Sequence, residues 1–205
     1  MPAQSAIQPA FRDAVRESQA VFRLAMCALA SPGQSVRLDT PLAPPAPLFA
    51  PAAALLLTLC DFETPVWLDP VLAESAEVPA FLRFHTGARL VTSPANAAFA
   101  VITDPARMLS LCTFAQGTPD YPDRSTTVLL QVETLATAGW TLEGPGIRGT
   151  TRFSAAPLPA DFAMQMRANR AAFPCGVDIF FATRTSLAAL PRSTRITETR
   201  RCMWR

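Results

Sequence analysis

The spacing of apolar residues changes period several times along the chain, and each change predicts an element. In residues 11–30, Phe11, Val15, Phe22, Met26 and Leu29 recur at a helical interval that leaves Arg12, Arg16 and Glu17 on the opposite side. Ser31-Pro32-Gly33 ends this helix, because proline cannot continue it and glycine accepts the left-handed turn. A short strand, SVRL, follows, and the Pro- and Ala-rich residues 42–51 form a loop leading into a buried helix over residues 52–60. TPVWL reads as a strand, residues 72–84 as one helix, and residues 89–91 and 98–102 as short strands. Asp104-Pro105 suits an N-cap and first turn, which predicts a helix reaching about Cys112.

The second half contains more extended structure. TTVLLQVETL has too many consecutive apolar residues for an edge strand and predicts a covered central one. AGWTLEG and TTRFSAA alternate more cleanly and suggest its antiparallel companions around the turn GPG. Residues 161–172 form a last helix stopped by Phe173-Pro174, VDIFFAT is another apolar strand, and SLAALPRSTRIT supplies two shorter extended pieces. Helices and strands alternate throughout, so the expected architecture is α/β, a mixed sheet flanked by helices, in a single domain over residues 1–205.

Composition narrows the function classes. Half the residues are hydrophobic, and twenty prolines punctuate many short elements. The net charge of +2, with no basic run longer than Arg200-Arg201, lacks the electrostatic footprint of a nucleic-acid binder. All 18 basic side chains are arginines, so no lysine is present to form a Schiff base with a carbonyl substrate or pyridoxal phosphate. Five dispersed cysteines without a CxxC pair fit a reducing cytoplasm. The start carries no signal-peptide pattern, and the longest apolar run, APAAALLLTLC, is too short for a bilayer, so no membrane association is expected.

Few residues could carry proton chemistry. His85 is the single histidine and lies between Arg83 and Arg89 in RFHTGARLV. It could act as a general base or neutral donor to an anion, or hydrogen-bond at a helix end where a positive ring suits the dipole; the second reading is preferred. Asp61, Glu63 and Asp69 cluster around TPVWL but match no metal-ligand spacing, and a solvated turn accounts for them. Cys175 in FPCGVD is read as a small packed residue rather than a thiolate nucleophile, and Asp178 as holding that turn or pairing with an arginine. GxSxG, GxxxxGK[ST] and GxGxxG are all absent. No catalytic or metal-binding set emerges. The apolar surplus, including Phe180, Phe181 and the Ala/Leu-rich helices, suggests a subunit interface.

Six stretches, VFRLAMCALASPG, LLLTLCDFETPVWLD, FLRFHTGARLV, LEGPGI, FPCGVDIFFA and LPRSTRI, in this order across most of the chain, resemble the PhnH family of the bacterial carbon-phosphorus lyase system for phosphonate use. The resemblance implies a fold like that of pyridoxal-phosphate-dependent transferases without bound cofactor, which agrees with the missing lysine. It implies a cytoplasmic protein that dimerises alone and assembles with PhnG, PhnI and PhnJ. Together with PhnG, PhnI and PhnL, such a subunit serves the synthesis of alpha-D-ribose 1-methylphosphonate 5-triphosphate from ATP and methylphosphonate. The resemblance carries over no catalytic residue. Its recurrent motifs include Arg83, Phe84, His85, Thr86, Phe173, Pro174, Gly176, Asp178 and Arg192. From them and Arg89, the expected ligand-binding or interface positions are Arg83, His85, Thr86, Arg89, Asp178 and Arg192. The alternative is an anion-binding small-molecule transferase acting through Arg83, His85 and Arg89.

Overall fold

The computed structural model describes residues 10–197, which leaves Cys202 and the Arg200-Arg201 pair outside the described residues. Helix α1 (Ala14–Ala30) opens at Asp13, whose carboxylate accepts from the Arg16 amide at 3.1 Å while Glu17 accepts from the Asp13 amide at 2.8 Å. Its buried face is Val21, Ala25 and Ala28. The stripe expected to face the core is partly outward instead: Val15 is 80% exposed, and Phe22 and Met26 are each 48% exposed. The small residues win the inner face because α1 lies close against α2 (Ala50–Leu59), itself rich in buried alanine, and against the sheet.

Seven strands form the main sheet: β1 (Val36–Arg37), β2 (Val66–Leu68), β3 (Leu90–Val91), β4 (Phe99–Ile102), β5 (Thr127–Gln131), β8 (Asp178–Ala182) and β9 (Ser186–Leu190). Their order is β1-β9-β8-β5-β4-β2-β3, with β3, β2, β4, β5 and β8 parallel and β9 antiparallel to both its neighbours. Thus the expected mixed sheet is present and the apolar TVLLQ segment is its central strand. AGWTLEG and TTRFSAA do pair with each other, as β6 (Thr134–Glu143) and β7 (Thr151–Ala156), but they are not companions of β5. With β10 (Arg195–Thr197) they make a second, three-stranded sheet, because both edges of β5 are already taken by β4 and β8.

Two further expectations are corrected. Residues 72–84 are not one helix but two, α3 (Pro70–Glu74) and α4 (Glu77–Thr86), separated by an extended Ser75. Pro79 explains the break, since inside a continuous helix it would lose a backbone hydrogen bond and press on the preceding turn; in α4 it occupies the first turn, where its missing N–H costs nothing. Residues 104–112 form two 3-10 turns, Pro105–Arg107 and Leu111–Thr113, instead of a helix. Asp104 makes no side-chain capping bond, and the Leu111 amide is held by Gln165 of α5 (Phe162–Ala171) at 2.9 Å.

Each face of the main sheet has its own core. Val66, Leu68, Val101, Leu129, Phe180 and Ala182 turn towards α1, α2 and α4, while Trp67, Ile102, Val128, Leu130, Ile179 and Phe181 turn towards α5 and the small sheet. The suggested apolar surplus at Phe180 and Phe181 is therefore consumed inside the chain, where they are 3% and 0% exposed. Gly146, at φ +80° in the β6–β7 turn, lies so close to the Ala30 carbonyl that no Cβ would fit, which joins the small sheet to the end of α1. Phe181→Ala, which removes a ring packed on Phe153 and Phe162, is expected to cost about 3–5 kcal/mol in urea denaturation with the m-value unchanged.

Candidate functional site

The sequence candidates separate into two groups. Arg83, His85 and Thr86 lie in the last turn of α4, which ends at Gly87 in the left-handed conformation with its amide bonded to the Arg83 carbonyl at 3.0 Å. Thr86 Oγ1 donates to the Leu82 carbonyl at 2.7 Å and accepts from the Ala88 amide at 3.0 Å, so its hydroxyl shapes the turn. The His85 ring meets Phe81 and Phe84 edge-on, at centroid distances of 4.7 and 4.9 Å. Phe81 is buried, whereas Phe84 is 67% exposed and Phe62, beside Gly87, is 74% exposed. With the exposed Arg83 and Arg89, these aromatics make an apolar patch with a cationic margin.

Asp178 and Arg192 form the second group and are bound to each other. Arg192 donates through its backbone N to Asp178 Oδ1 at 2.8 Å, through Nε to both carboxylate oxygens at 3.2 Å, and through Nη2 to Oδ2 at 2.6 Å. Nη2 also reaches Ser125 Oγ, and Nη1 reaches the Pro122 carbonyl at 2.7 Å and the Pro174 carbonyl at 3.3 Å. Every guanidinium nitrogen is thus committed, and the group ties the start of β8 to the loop before β5 and the turn at Phe173-Pro174. Both groups lie at the amino ends of the parallel strands, but β5, β4 and β2 intervene between β8 and β3. Four strand spacings place them about 19 Å apart across the sheet. They do not form one site.

The carboxylates near TPVWL hold backbone turns. Asp61 accepts from Thr64 Oγ1 at 2.8 Å and from the Glu63 amide at 3.0 Å, and these bonds, the hydroxyl first, hold its carboxyl below the usual carboxylate value. Asp69, expected in a solvated turn, is instead buried, because its oxygens are needed inside: Oδ1 caps α3 through the Leu72 amide at 3.0 Å, and Oδ2 accepts from the Thr103 amide and hydroxyl at 2.7 and 2.6 Å. Among the described residues no group of three His, Cys, Asp or Glu side chains is placed to hold a metal ion. Cys175 is half-buried, and Cys60 is buried with its thiol pushed up to about 12, mainly by loss of solvation and secondly by Asp61.

Concave surfaces open at the opposite, carboxyl end of the strands. A cavity of about 640 Å³ beyond β5 and β8 is lined by Phe49, Val132, Glu133, Thr183, Arg184 and Ser186, among others. The Arg184 guanidinium lies 4.6 Å from the Phe49 ring centre, and the buried Gln131 side chain fixes the start of α2 by accepting from the Phe49 amide at 2.6 Å and donating to the Pro47 carbonyl at 3.0 Å. A second cavity of about 340 Å³ lies beyond β2 and β4. Neither is lined by Arg83, His85, Thr86, Arg89, Asp178 or Arg192. The sequence held two signals for this end: a glutamine inside an apolar strand, and the same Asp-Pro pair at 69–70 and 104–105, just after two parallel strands.

The arrangement is that of a mixed α/β chain whose polar clusters bind its own backbone. Its exposed surface offers an aromatic patch, and its strand ends offer clefts. A family model described as bacterial phosphonate metabolism protein (PhnH) matches residues 9–197. The chain is 43% identical over 199 residues, covering 96% of this chain and 98% of the relative, to alpha-D-ribose 1-methylphosphonate 5-triphosphate synthase subunit PhnH of Rhizobium meliloti (strain 1021). The chain belongs to the PhnH family.

Three measurements check this geometry. Asp178→Asn leaves the Arg192 charge without its counter-ion and is expected to lower stability by about 3 kcal/mol; a loss below about 1 kcal/mol would place the pair with ordinary surface contacts. At pH 8 a thiol reagent is expected to label the exposed Cys27 and Cys112 rapidly and Cys60 only after unfolding. Because the Cys60 thiol is raised in the folded chain, the unfolded chain loses this proton first, and stability should fall as pH rises above the ordinary thiol value of 9.0 towards about 12.

Proposed function

We propose that this chain is a subunit of an alpha-D-ribose 1-methylphosphonate 5-triphosphate synthase in phosphonate catabolism, supporting assembly or a partner's active site rather than carrying out the chemistry itself. The end-to-end 43% identity to the PhnH subunit of that synthase carries the reading. The inventory of side chains supports it: arginines cannot exchange protons at working pH, and the candidate carboxylates Asp69 and Asp178 are spent on the chain's own backbone and Arg192. The partners in this reading are PhnG, PhnI and PhnJ, with PhnL joining in the synthesis, and the isolated chain pairs with itself. The cytoplasm is the proposed location. No helix among the described residues is long and apolar enough to cross a membrane.

In this reading the patch of Phe62, Phe84, Arg83, His85 and Arg89 is a protein contact. Exposed aromatics with arginine beside them are the composition of interface anchors, and these are poorly explained by folding because they add nothing to either core. The fold belongs, in this proposal, with that of pyridoxal-phosphate-dependent transferases. A seven-stranded sheet, parallel but for β9 and covered on both faces, supports the likeness. The cofactor itself does not fit: with no lysine, there is no side-chain amine to form an internal aldimine. Incubation with pyridoxal phosphate followed by borohydride is expected to leave no reduced adduct on any side chain of this sequence.

The deciding experiment reconstitutes adenine release from ATP and methylphosphonate by the partner subunits with and without this chain. Omission is expected to stop release, and the chain alone to release none; release by the chain alone, or no effect of omission, would overturn the subunit reading. Phe84→Asp, at an exposed position, should leave the melting temperature unchanged and lower co-elution with the partner subunits. His85→Ala should keep turnover once assembled. Loss of turnover by an intact complex would make His85 a participant in the chemistry.

A further inference from the structure

The cavity between β2 and β4 stands where the strand order reverses. The chain runs from β2 outward to β3, then crosses back to β4 on the other side of β2 and continues through β5 to β8. The two carboxyl ends that part there lead into connections on either side of a crevice, the place where open α/β sheets bind ligands. Here the crevice is closed at its base and shaped in advance. Asp69 at the end of β2 is bonded to Thr103 at the end of β4 by the amide and hydroxyl contacts already described, and its other oxygen holds the start of α3.

The lining has a definite chemistry. Trp67 and Ile102 form the floor, and Val71, Met108 and Leu109 the walls. Trp67 is fixed against Phe114 with ring centres 5.9 Å apart. Asp104 and Arg107 also line the cavity. Both are exposed, and neither makes an ion pair or side-chain hydrogen bond within the described residues. The volume of about 340 Å³ falls at the lower end of the range of small-molecule sites, about 300–1,000 Å³. Val71 and Leu109 remain 53% and 43% exposed, an apolar surface that a bound ring would cover.

We infer that this crevice binds a flat heteroaromatic ring carrying an anionic substituent, the chemistry of a nucleoside 5′-phosphate. The ring enters the apolar slot over Trp67 between Val71 and Met108, whose thioether favours aromatic neighbours. Asp104 accepts from a ring amine or sugar hydroxyl, and the Arg107 guanidinium grips the anion with two parallel N–H groups. A small aliphatic anion would use Arg107 but leave the walls bare, and a neutral ring would leave the guanidinium unused. The site shares no lining residue with the aromatic patch at the end of α4, and its occupancy does not depend on the subunit reading.

Calorimetric titration of the full chain with adenosine 5′-monophosphate, adenosine and ribose 5-phosphate tests this. The monophosphate should bind most tightly, quenching Trp67 fluorescence, with the quench lost in Trp67→Phe. Arg107→Gln should weaken the monophosphate about tenfold and change adenosine less than about twofold, because only the charged contact is removed. Val71→Trp, at a position exposed enough to accept the larger ring, should abolish binding of both while leaving the melting temperature in place. No binding of the monophosphate by the wild-type chain would overturn the inference. Equal binding of ribose 5-phosphate, or indifference to both Arg107→Gln and Val71→Trp, would do the same. Adenine release by the reconstituted subunits reads the subunit role separately.

Discussion

The rest of the structure depends on covering both faces of a largely parallel sheet. Parallel strands cannot leave one side to water as a hairpin can, because their connections must cross the faces and their residues are apolar on both sides. In β8 this appears residue by residue: Ile179 and Phe181 belong to one core and Phe180 and Ala182 to the other. The chain meets the requirement with unequal covers. Helices α1, α2 and α4 close one face, while α5 and a separate three-stranded sheet close the other, so β6 and β7 serve as a lid instead of extending the main sheet.

Once both faces are covered, polar chemistry is confined to the strand ends, and the two ends are used differently. At the amino end, Arg192 and Asp178 gather β8, the loop before β5 and the turn at Pro174 into one hydrogen-bonded group. A guanidinium with every nitrogen engaged has little left for a ligand, and its worth is in registering segments far apart in sequence. At the carboxyl end, Asp69 and Gln131 do similar work with fewer bonds and leave cavities beside them. The fold therefore places two of its cavities at the end where α/β sheets take ligands and its firmest polar clamp at the other, with a further cavity of about 420 Å³ beside α5.

This division suits a protein that contributes surface and shape to a larger assembly. Its exposed aromatics at Phe62 and Phe84, and the outward stripe of Val15, Phe22 and Met26 on α1, are apolar groups that neither core absorbs. A basic repertoire of arginine alone favours gripping anions and stacking on rings over exchanging protons.

How much was legible from the letters follows from the range of the interactions involved. The strands of the main sheet, the helix stop at Ser31-Pro32-Gly33 and the central place of TVLLQ were legible because local turn chemistry and runs of apolar residues determine them. The pairing of Asp178 with an arginine was within reach as chemistry, but its partner lies 14 positions away and its further contacts, Ser125 and Pro122, arrive only through the sheet order. The inner face of α1 was misread because two alanines outrank Phe22 and Met26 where a helix must come close to its neighbours, a preference that hydrophobicity alone does not encode. The sequence by itself determined the α/β class, the family and the narrow set of titrating groups. Only the tertiary structure decided which strands share a sheet, that His85 and Arg192 lie far apart at one end of it, and that two Asp-Pro steps meet across a crevice, since strand order is set by long-range burial of two faces at once.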